Sequence, residues 1–213
     1  MQKTPLFDLH TKLHGKMNDY YGYELPSSYE AGSETEKERV ATSCGLFDAC
    51  FLGELELAGE KPRETLEAIF GGNFDLKAGE IRRVALFEES VDVYAVASGV
   101  FMLVVSPATH EKTVKHIRER LVGKTTLLDI SNALGSVLVK GPKTDEILKK
   151  IAVMPERELS FVTQAIKETS CIVTRLHDGV LITCNFQRIK SVYEEVALVG
   201  IPQGLLPCGY EAM

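Results

Sequence analysis

Gly59–Ile69 reads GEKPRETLEAI and Gly141–Ile151 reads GPKTDEILKKI, and this recurrence decides the fold. Glycine, lysine, glutamate, leucine and isoleucine coincide at one fixed offset. In both segments a glycine ends a predicted strand and a helical pattern follows, which is typical of a strand-to-helix turn. Duplication of one structural unit is the favoured interpretation, and coincidence between two similar turns is the alternative.

The elements predicted around the two segments follow the same order. The first series has strands over 52–57, 81–87, 91–97 and 100–105, with helices beginning at Pro62 and spanning 109–121. The second has strands over 136–140, 171–176 and 180–184, with helices over 144–151 and 188–198. Ser98-Gly99 and His177-Asp178-Gly179 have the composition of hairpin turns. The predicted fold class is therefore α+β, a duplicated strand–helix–strand unit whose helices pack on antiparallel sheets.

The residues before these two series form a separate segment. Residues 1–45 are predicted to contain a helix that starts at Thr4-Pro5, a loop over 20–29, and a second helix. Thr35 and Glu38 have the spacing of a capping box at the start of that second helix. The two pseudo-repeats then span 46–125 and 126–213, and residues 45–213 are expected to pack as one unit.

The composition excludes several classes of protein. The chain has 213 residues, 45% hydrophobic and 25% charged, which is an ordinary globular mixture. Its net charge of −6 disfavours a nucleic-acid partner, which would need a basic face. The longest apolar stretch, 93–105, is interrupted by Ser98-Gly99 and is shorter than the roughly 20 residues that cross a bilayer, so we expect no membrane partner.

The cysteines indicate the cellular compartment. There are five, an odd number, and no C-x-x-C motif, which argues against a disulfide framework or a zinc ribbon. We interpret all five as free thiols of a cytoplasmic protein that has no signal peptide: Cys44, Cys50, Cys171, Cys184 and Cys208.

Asp92 is the candidate functional residue that the residue pattern itself singles out. It lies between Val91 and Val93 in a predicted strand that is otherwise apolar as far as Ala97. A carboxylate in such a strand must be desolvated, paired or turned to solvent. Facing inward, it could hold a proton or bind a cationic or N–H-bearing ligand. The solvent-facing alternative remains open at this point.

Histidine spacing gives a weaker signal. His10 and His14 lie four residues apart on the first predicted helix and would share a face. No carboxylate or cysteine nearby completes a ligand set, and two surface histidines on a helix are usually without function. We therefore predict no metal site.

Several short motifs resemble those of the aminomethyltransferase family, the T-protein of the glycine cleavage system. Lys16–Pro26 resembles that family's K/R-M-V-D-F-x-G-W-x-M-P, and Gly45–Glu54 resembles its G-L-F-D-V-S-H-M-G-E. The other matching segments, in chain order, are Thr4–His10, Val104–Lys112, Val139–Pro142 and Pro207–Gly209. The likeness is strong over residues 4–142 and faint beyond them.

The resemblance implies a folate-binding α+β fold with tetrahydrofolate as the cofactor. It also implies transfer of a one-carbon unit from an aminomethyl group on a lipoyl carrier protein to tetrahydrofolate, with release of ammonia. A reduced folate is then the expected small-molecule partner. A lipoyl carrier protein or a partner subunit is the expected protein partner. The chain is expected to lack the C-terminal barrel domain with which the family continues.

The same resemblance assigns the site residues. Val91-Asp92 matches the V-D of the family's G-G-x-V-D-D segment, which implies that Asp92 is catalytic. It would orient the folate nitrogen that captures the carbon and stabilise positive charge on the one-carbon unit. Four further positions correspond to family residues of the site but differ in type, and they are the expected cofactor-binding residues: Leu52, Arg83, Ser106 and His177.

Departures from the family pattern leave two functions open. Glu88-Glu89-Ser90 replaces the two glycines, Val93 replaces the second aspartate, and Phe51-Leu52 stands where the family has His-Met. The first function is a tetrahydrofolate-dependent aminomethyltransferase-like enzyme. The second is a non-catalytic folate-fold binding module or a subunit of a larger complex, similar to the small subunit of heterotetrameric sarcosine oxidase.

Overall fold

Strands and short helices alternate through the computed structural model, which describes residues 1–213. The strands are β1 (Gln2–Lys3), β2 (Met17–Tyr20), β3 (Tyr23–Pro26), β4 (Cys44–Asp48), β5 (Gly53–Gly59), β6 (Ile81–Leu86), β7 (Glu89–Ala97), β8 (Val100–Val105), β9 (Thr125–Asp129), β10 (Leu134–Lys140), β11 (Ser160–Ile166), β12 (Thr169–Arg175), β13 (Gly179–Asn185) and β14 (Leu205–Pro207). The helices are α1 (Phe7–Lys12), α2 (Ser33–Thr42), α3 (Pro62–Phe70), α4 (His110–Arg118), α5 (Thr144–Leu148) and α6 (Ile189–Gly200). None of them is both long and apolar enough to cross a lipid bilayer.

Two compact units share these elements. The five-strand unit comprises Leu52–Ala133 and Leu159–Phe161, and its sheet has the order β6-β7-β8-β5-β9. The six-strand unit comprises Met1–Phe51, Leu134–Glu158 and Val162–Met213, and its main sheet has the order β11-β12-β13-β10-β4-β14. A small sheet of order β1-β3-β2 also belongs to the six-strand unit.

The two main sheets confirm the duplicated α+β fold. Elements β4-β5-α3-β6-β7-β8-α4 are followed by the same series, β9-β10-α5-β11-β12-β13-α6. The strand orders β6-β7-β8-β5 and β11-β12-β13-β10 correspond one to one. The first strand of each series pairs in the sheet of the other series, because β4 pairs with β10 and β9 pairs with β5. The boundaries at residues 45 and 125 remain a prediction.

Each unit buries the apolar face of its own sheet. In the five-strand unit, alternate residues such as Val91, Val93 and Leu103 pack against Leu66 of α3 and Ile117 of α4. In the six-strand unit, the corresponding strands pack mainly against α6 and α5. The period of two along a strand then leaves every intervening side chain on the opposite face of its sheet.

Gly141, in the segment that revealed the duplication, has a specific structural reason to be glycine. Its φ is +130°, and a Cβ there would lie 2.5 Å from the Ser43 carbonyl oxygen and 2.6 Å from that of Val40. Only a residue without a side chain can pass so close to the end of α2. The recurring glycine therefore marks a crowded strand-to-helix turn.

The predicted N-terminal segment is wrong in two details. Helix α1 begins at Phe7 without a side-chain cap, and Thr4 lies in the turn before it. The Thr4 hydroxyl donates to Asp48 Oδ2 at 2.6 Å and accepts from the Leu6 N–H at 3.3 Å. Helix α2 begins at Ser33, two residues before the predicted cap. Its side chain Glu36 is buried and accepts hydrogen bonds from the backbone N–H groups of Tyr29 and Gly209. Tertiary hydrogen bonds therefore override the local capping signal.

The predicted loop over 20–29 is also wrong, because it contains β3. Tyr21 and Gly22 connect β2 to β3 with φ values of +50° and +86°. Two successive positive φ values are those of a type I′ hairpin turn. The Tyr-Gly dipeptide was a weak signal, because tyrosine at the first of these positions is unusual.

Candidate functional site

The five-strand sheet has one face that the helices do not cover, and this face carries Asp92. Val91, Val93 and Ala95 of β7 point into the core, so Asp92 and Tyr94 point to the other side. The sequence left the orientation of this carboxylate open, and the structure places it away from the apolar core. Its side chain retains only 12% of its possible exposure.

A row of cross-strand neighbours that includes Asp92 crosses the sheet. Asp92 pairs with Arg83 on one side and with Val104 on the other, and Val104 pairs with Glu54. Side chains that are paired across strands project from the same face, about 5 Å apart. The row therefore places two carboxylates and one guanidinium on a single face of the sheet.

Arg83 holds Asp92 in a two-point ion pair. Arg83 Nε donates to Asp92 Oδ1 at 2.6 Å, and Arg83 Nη2 donates to Oδ2 at 2.7 Å. This fork geometry fixes the plane of the carboxylate and is the strongest common type of side-chain hydrogen bonding. It also places a full positive charge beside the negative one. Asp92 is thus well oriented but electrostatically compensated.

Leu52 and Ser106 meet at the end of the same strand ladder. Gly53 pairs with Val105, Leu52 directly precedes Gly53, and Ser106 directly follows Val105. Both Leu52 and Ser106 are half-buried. The Ser106 hydroxyl accepts a hydrogen bond from the Ala108 backbone N–H at 3.3 Å. These two predicted residues are therefore neighbours, on strands that also pair into the Asp92 row.

His177 is placed elsewhere, on the β12–β13 hairpin of the six-strand unit. Its side chain is 85% exposed, and its Nδ1 lies 3.2 Å from both carboxylate oxygens of Glu158. It lines a cavity of about 530 Å³ together with Lys140 and Arg175. Of the five predicted site residues, four thus belong to the five-strand unit and His177 does not.

The charges around the His177 cavity compensate one another. Lys140 Nζ lies 2.7 Å from an oxygen of Asp178, and Arg175 Nη2 donates to both oxygens of Asp145 at 2.9 and 3.0 Å. The hydrogen bond from Lys140 lowers the pKa of the Asp178 carboxyl against the opposing effect of partial burial. This cavity has no unbalanced charge that selects a ligand.

The sequence patterns missed Glu54 and Tyr94 as members of the site face. Alternation along 52–57 predicted a half-buried strand, yet Glu54 is only 2% exposed. Tyr94 is 1% exposed, and its ring centroid lies 5.4 Å from that of Phe161. Tyr94 has the same parity as Asp92 along β7, which was the available signal. The available signal for Glu54 was its position at the end of the Gly45–Glu54 segment, which resembles a family motif.

A second cluster of polar side chains lies buried in the six-strand unit around His10. The prediction of a surface histidine is wrong, because His10 is fully buried. Its Nε2 lies 2.9 Å from Asp48 Oδ2, and its Nδ1 lies 2.7 Å from the Tyr29 hydroxyl. Asp48 also accepts hydrogen bonds from the Thr4 hydroxyl and the Cys50 backbone N–H.

This cluster is a closed structural network. A carboxylate only accepts hydrogen bonds, so His10 Nε2 donates to Asp48, and Nδ1 accepts from the Tyr29 hydroxyl. Burial is the largest cause that raises the pKa of the Tyr29 phenol above its usual range, followed by the effect of Tyr193. Every polar atom of the His10 ring is thereby satisfied. No group of three or more histidine, cysteine or carboxylate side chains is arranged to hold a metal ion.

These observations define a duplicated α+β protein with an acidic, partly neutralised sheet face. A family model described as the GCVT N-terminal domain matches residues 6–213. The chain therefore belongs to the GCVT N-terminal domain family. This confirms the aminomethyltransferase family that the sequence motifs predicted.

Curated relatives are similar along the whole chain. The aminomethyltransferase of one strain of Bacillus cereus is 30% identical, and the alignment covers 100% of this chain and 62% of the relative. The aminomethyltransferase of Bacillus licheniformis is also 30% identical over the same shares. The chain thus spans about three fifths of the length of the curated relatives that it matches.

Solved structures share the fold. Aminomethyltransferase T of the glycine cleavage system from Bartonella henselae superposes with a TM-score of 0.87 at 18% identity, over 99% of this chain and 60% of that one. A chain of heterotetrameric sarcosine oxidase from Corynebacterium sp. U-96 gives a TM-score of 0.66 at 14% identity, over 95% of this chain and 96% of the other. At these identities the likeness concerns the fold alone.

Proposed function

We propose that this chain binds tetrahydrofolate on the sheet face that carries Asp92 and takes part in one-carbon transfer from an aminomethyl donor. The observation that carries the proposal is a carboxylate held at 12% exposure on the helix-free face of the five-strand sheet. Membership of the aminomethyltransferase family supports the class of ligand. The Bartonella henselae enzyme, which shares the fold, supports the class of reaction.

Asp92 would act by position and charge. An ionised carboxylate accepts hydrogen bonds from N–H groups and stabilises a nearby developing cation. Those are the two demands of a nitrogen that captures a one-carbon unit. In the transfer, the carbon would lose its bonds to the donor sulfur and to the donor's amino group and would form bonds to two folate nitrogens. The two protons that these nitrogens give up would leave with the donor as its thiol and with the amino group as ammonia. Leu52 and Ser106 would border the ligand at the end of the β5–β8 ladder.

Arg83 favours the second candidate, a non-catalytic folate-binding module or subunit. Its two hydrogen bonds occupy both oxygens of Asp92, and its charge opposes stabilisation of another cation. The sarcosine oxidase chain of similar fold, which this chain covers to 96%, supports a role within a larger complex. In that case the folate would bind and the transfer step would be absent or would depend on a partner subunit.

The donor and location follow from the same proposal. A lipoyl carrier protein would supply the aminomethyl group if the chain is an enzyme. A partner subunit would complete the site if it is a module. His177 belongs to the six-strand unit and is not part of the proposed site. Five free thiols support a reducing, cytoplasmic compartment.

Thermal unfolding with a reduced folate tests the binding. At 100 times its dissociation constant, a ligand specific for the folded state adds about 2.7 kcal/mol to stability. We expect a concentration-dependent rise in Tm with tetrahydrofolate for the wild type. No rise at any concentration would refute folate binding.

Matched variants locate the site. Asp92→Asn removes the charge with little change of volume, and we expect it to reduce the folate-dependent rise in Tm at least several-fold. Asp178→Asn removes another ion-paired aspartate, in the six-strand unit, and should retain the full rise. An undiminished rise in Asp92→Asn would remove Asp92 from the site while leaving folate binding intact.

Turnover separates the enzyme from the module. With an aminomethylated lipoyl donor and tetrahydrofolate, an enzyme releases ammonia in proportion to the folate product. We expect Arg83→Met to increase this rate if the ion pair restrains Asp92. Folate binding without turnover in both the wild type and Arg83→Met would establish the module.

A further inference from the structure

Three cysteine thiols lie close together in the core of the six-strand unit. Cys171 of β12 pairs directly with Cys184 of β13, and Cys184 pairs with Gly135 of β10. Because Gly135 has no side chain, Cys50 approaches this row, and its Sγ lies 3.3 Å from where a Cβ on residue 135 would stand. None of the three is in a disulfide, and all three are buried. The proposed folate-binding role uses none of them.

The hydrogen-bonding phase of the β12–β13 hairpin determines how close Cys171 and Cys184 are. The Leu176 N–H donates to the Gly179 carbonyl at 2.9 Å, so these opposite residues form a hydrogen-bonded pair. Hydrogen-bonded and non-hydrogen-bonded pairs alternate along an antiparallel ladder. Cys171 lies five residues before Leu176, an odd number of steps, so Cys171 and Cys184 form a non-hydrogen-bonded pair.

A non-hydrogen-bonded pair has the spacing that a disulfide requires. Its Cα atoms lie about 4.5 Å apart, whereas a hydrogen-bonded pair has its Cα atoms about 5.5 Å apart with side chains less close. Disulfides span Cα separations of roughly 4.4–6.8 Å. The spacing of a non-hydrogen-bonded pair lies at the lower end of this range and brings the two side chains closest, so the backbone is compatible with a bond between the two sulfur atoms.

The two thiols also differ in acidity. Hydrogen bonding from Cys184 lowers the pKa of the Cys171 thiol, against the opposing effect of burial. The same hydrogen bond and burial raise the pKa of Cys184 well above its usual range. The lowered pKa favours Cys171 as the attacking thiol, because a thiolate is the nucleophile in disulfide chemistry.

We propose that Cys171 and Cys184 are an oxidation site, a cross-strand dithiol that closes to an intramolecular disulfide with a small disulfide oxidant such as oxidised glutathione. The Cys171 thiolate attacks one sulfur of the oxidant and releases one glutathione thiolate. The Cys184 thiol then loses its proton and attacks Cys171 Sγ, which releases the second glutathione thiolate. Two protein thiols are oxidised and one glutathione disulfide is reduced to two thiols.

Burial determines the rate of this reaction. Cys171 is 1% exposed and Cys184 is 3% exposed, so the oxidant reaches them only when the sheet opens locally. The reaction is therefore slower than that of an exposed thiol, but its product is specific, because the partner thiol is already in place. The simple alternative is that both cysteines only fill apolar volume, as Val105 does where Gly53 pairs with it in the other sheet.

Oxidation of the full chain under native conditions tests the proposal. The reduced protein is incubated with oxidised glutathione for increasing times, quenched, unfolded and alkylated, and its mass and peptides are measured. We expect the number of alkylatable thiols to fall from five to three, with a disulfide between the peptides of Cys171 and Cys184. Persistence of five alkylatable thiols, or a disulfide formed mainly with Cys50, would overturn the proposal.

Two comparisons show whether the folded pairing is responsible. In concentrated urea the same oxidant should give a mixture of cysteine pairings, because no sheet then holds the thiols together. Cys208→Ser should still form the Cys171–Cys184 disulfide in the native state, whereas Cys171→Ser should form no intramolecular disulfide. The same mixture of pairings in native and urea-treated wild type would refute a preformed dithiol even if a cysteine variant failed to fold. The oxidised wild type should melt roughly 5 °C or more above the reduced form.

Discussion

The two main sheets have the same strand order but carry opposite kinds of chemistry at matching positions. In the five-strand sheet, Asp92, Val104 and Glu54 lie in one cross-strand row. The corresponding row of the six-strand sheet is Ile172, Thr183 and Ser136. Ser136 and Thr183 there share a neutral hydrogen bond of 2.8 Å. Duplication thus preserved the framework while one face became acidic and the other neutral.

The two units also differ in where they place their charged side chains. The six-strand unit buries its His10–Asp48 pair and surrounds it with hydrogen-bond partners, so this charge maintains structure. The five-strand unit keeps the Arg83–Asp92 pair on a sheet face, with Arg83 still 42% exposed. A partly exposed pair contributes less to folding than a buried one does, and a ligand that binds Asp92 would have to compete with Arg83 for the carboxylate oxygens. Substitutions on the Asp92 face of the five-strand sheet should therefore affect ligand binding most, and substitutions of the buried His10–Asp48 pair should affect stability most.

The largest expected effect comes from breaking the buried pair. Asp48→Ala leaves His10 and Thr4 without their acceptor inside the six-strand unit. A buried donor that loses its acceptor costs about 1–3 kcal/mol, and two donors are affected here, so we expect a loss of about 2–5 kcal/mol. Urea unfolding should show that loss, while Asp92→Asn should lose no more than about 1 kcal/mol. Equal losses in the two variants would show that the partly exposed pair contributes as much to stability as the buried one.

Alanine substitution of Gly53 and Gly135, which occupy corresponding positions in the two sheets, gives the next largest expected effects on stability. A Cβ on Gly53 would lie 2.6 Å from His110 Cδ2 and 2.7 Å from Val105 Cγ2, whereas one on Gly135 would lie no closer than 3.2 Å to Ile189. Gly53→Ala should therefore lose about 1–3 kcal/mol through overpacking.

Gly135→Ala should stay within about 1 kcal/mol of the wild type, because reduced freedom of the unfolded chain offsets part of the crowding. Both variants are compared with wild type by the same urea titration. A larger loss at residue 135 than at residue 53 would show that the two sheets are packed differently from this description.

Removing the arginine of one partly exposed ion pair in each unit should have a smaller effect on stability. Arg83→Met frees Asp92, and Arg175→Met frees Asp145 in the other unit. Each should lose about 1 kcal/mol or less, after allowance for screening by solvent. Only Arg83→Met should alter the Tm rise with tetrahydrofolate. An equal change of that rise in both variants would contradict a site restricted to the five-strand face.

The smallest expected effect is a pH dependence of stability that comes from Asp178 on the β12–β13 hairpin. The hydrogen bond from Lys140 lowers the pKa of Asp178 below its usual value of 3.8. A carboxyl whose pKa is lowered in the folded state stabilises it above the unfolded pKa, and this contribution disappears as pH falls through the folded pKa. Because Asp178 is 54% exposed, we expect roughly 0.5 kcal/mol or less.

Urea titrations of the wild type and Lys140→Met check that contribution. The two proteins should differ slightly near neutral pH and converge as the pH falls through the lowered pKa of Asp178. A difference that grows on acidification would contradict the assigned sign.

The sequence alone was sufficient for the duplication, the fold class and the family. Glycine punctuation, the apolar runs of β7 and β8, and the helical pattern of α4 are local properties that the chain expresses without tertiary contacts. They also singled out Asp92, because a carboxylate within an apolar strand is visible in the sequence. The motifs added Arg83, Leu52 and Ser106 to the same sheet, which the structure then showed as two pairs of neighbours.

Tertiary structure decided what each of these side chains contacts. Only the strand register places Arg83 on both oxygens of Asp92, buries Glu54 in the same row, and aligns Cys171 with Cys184. The same folding buries His10 beside Asp48, distant in sequence, and leaves His177 on another unit. The physical reason is that periodicity specifies which face a residue occupies, whereas its partners depend on how separate strands pair.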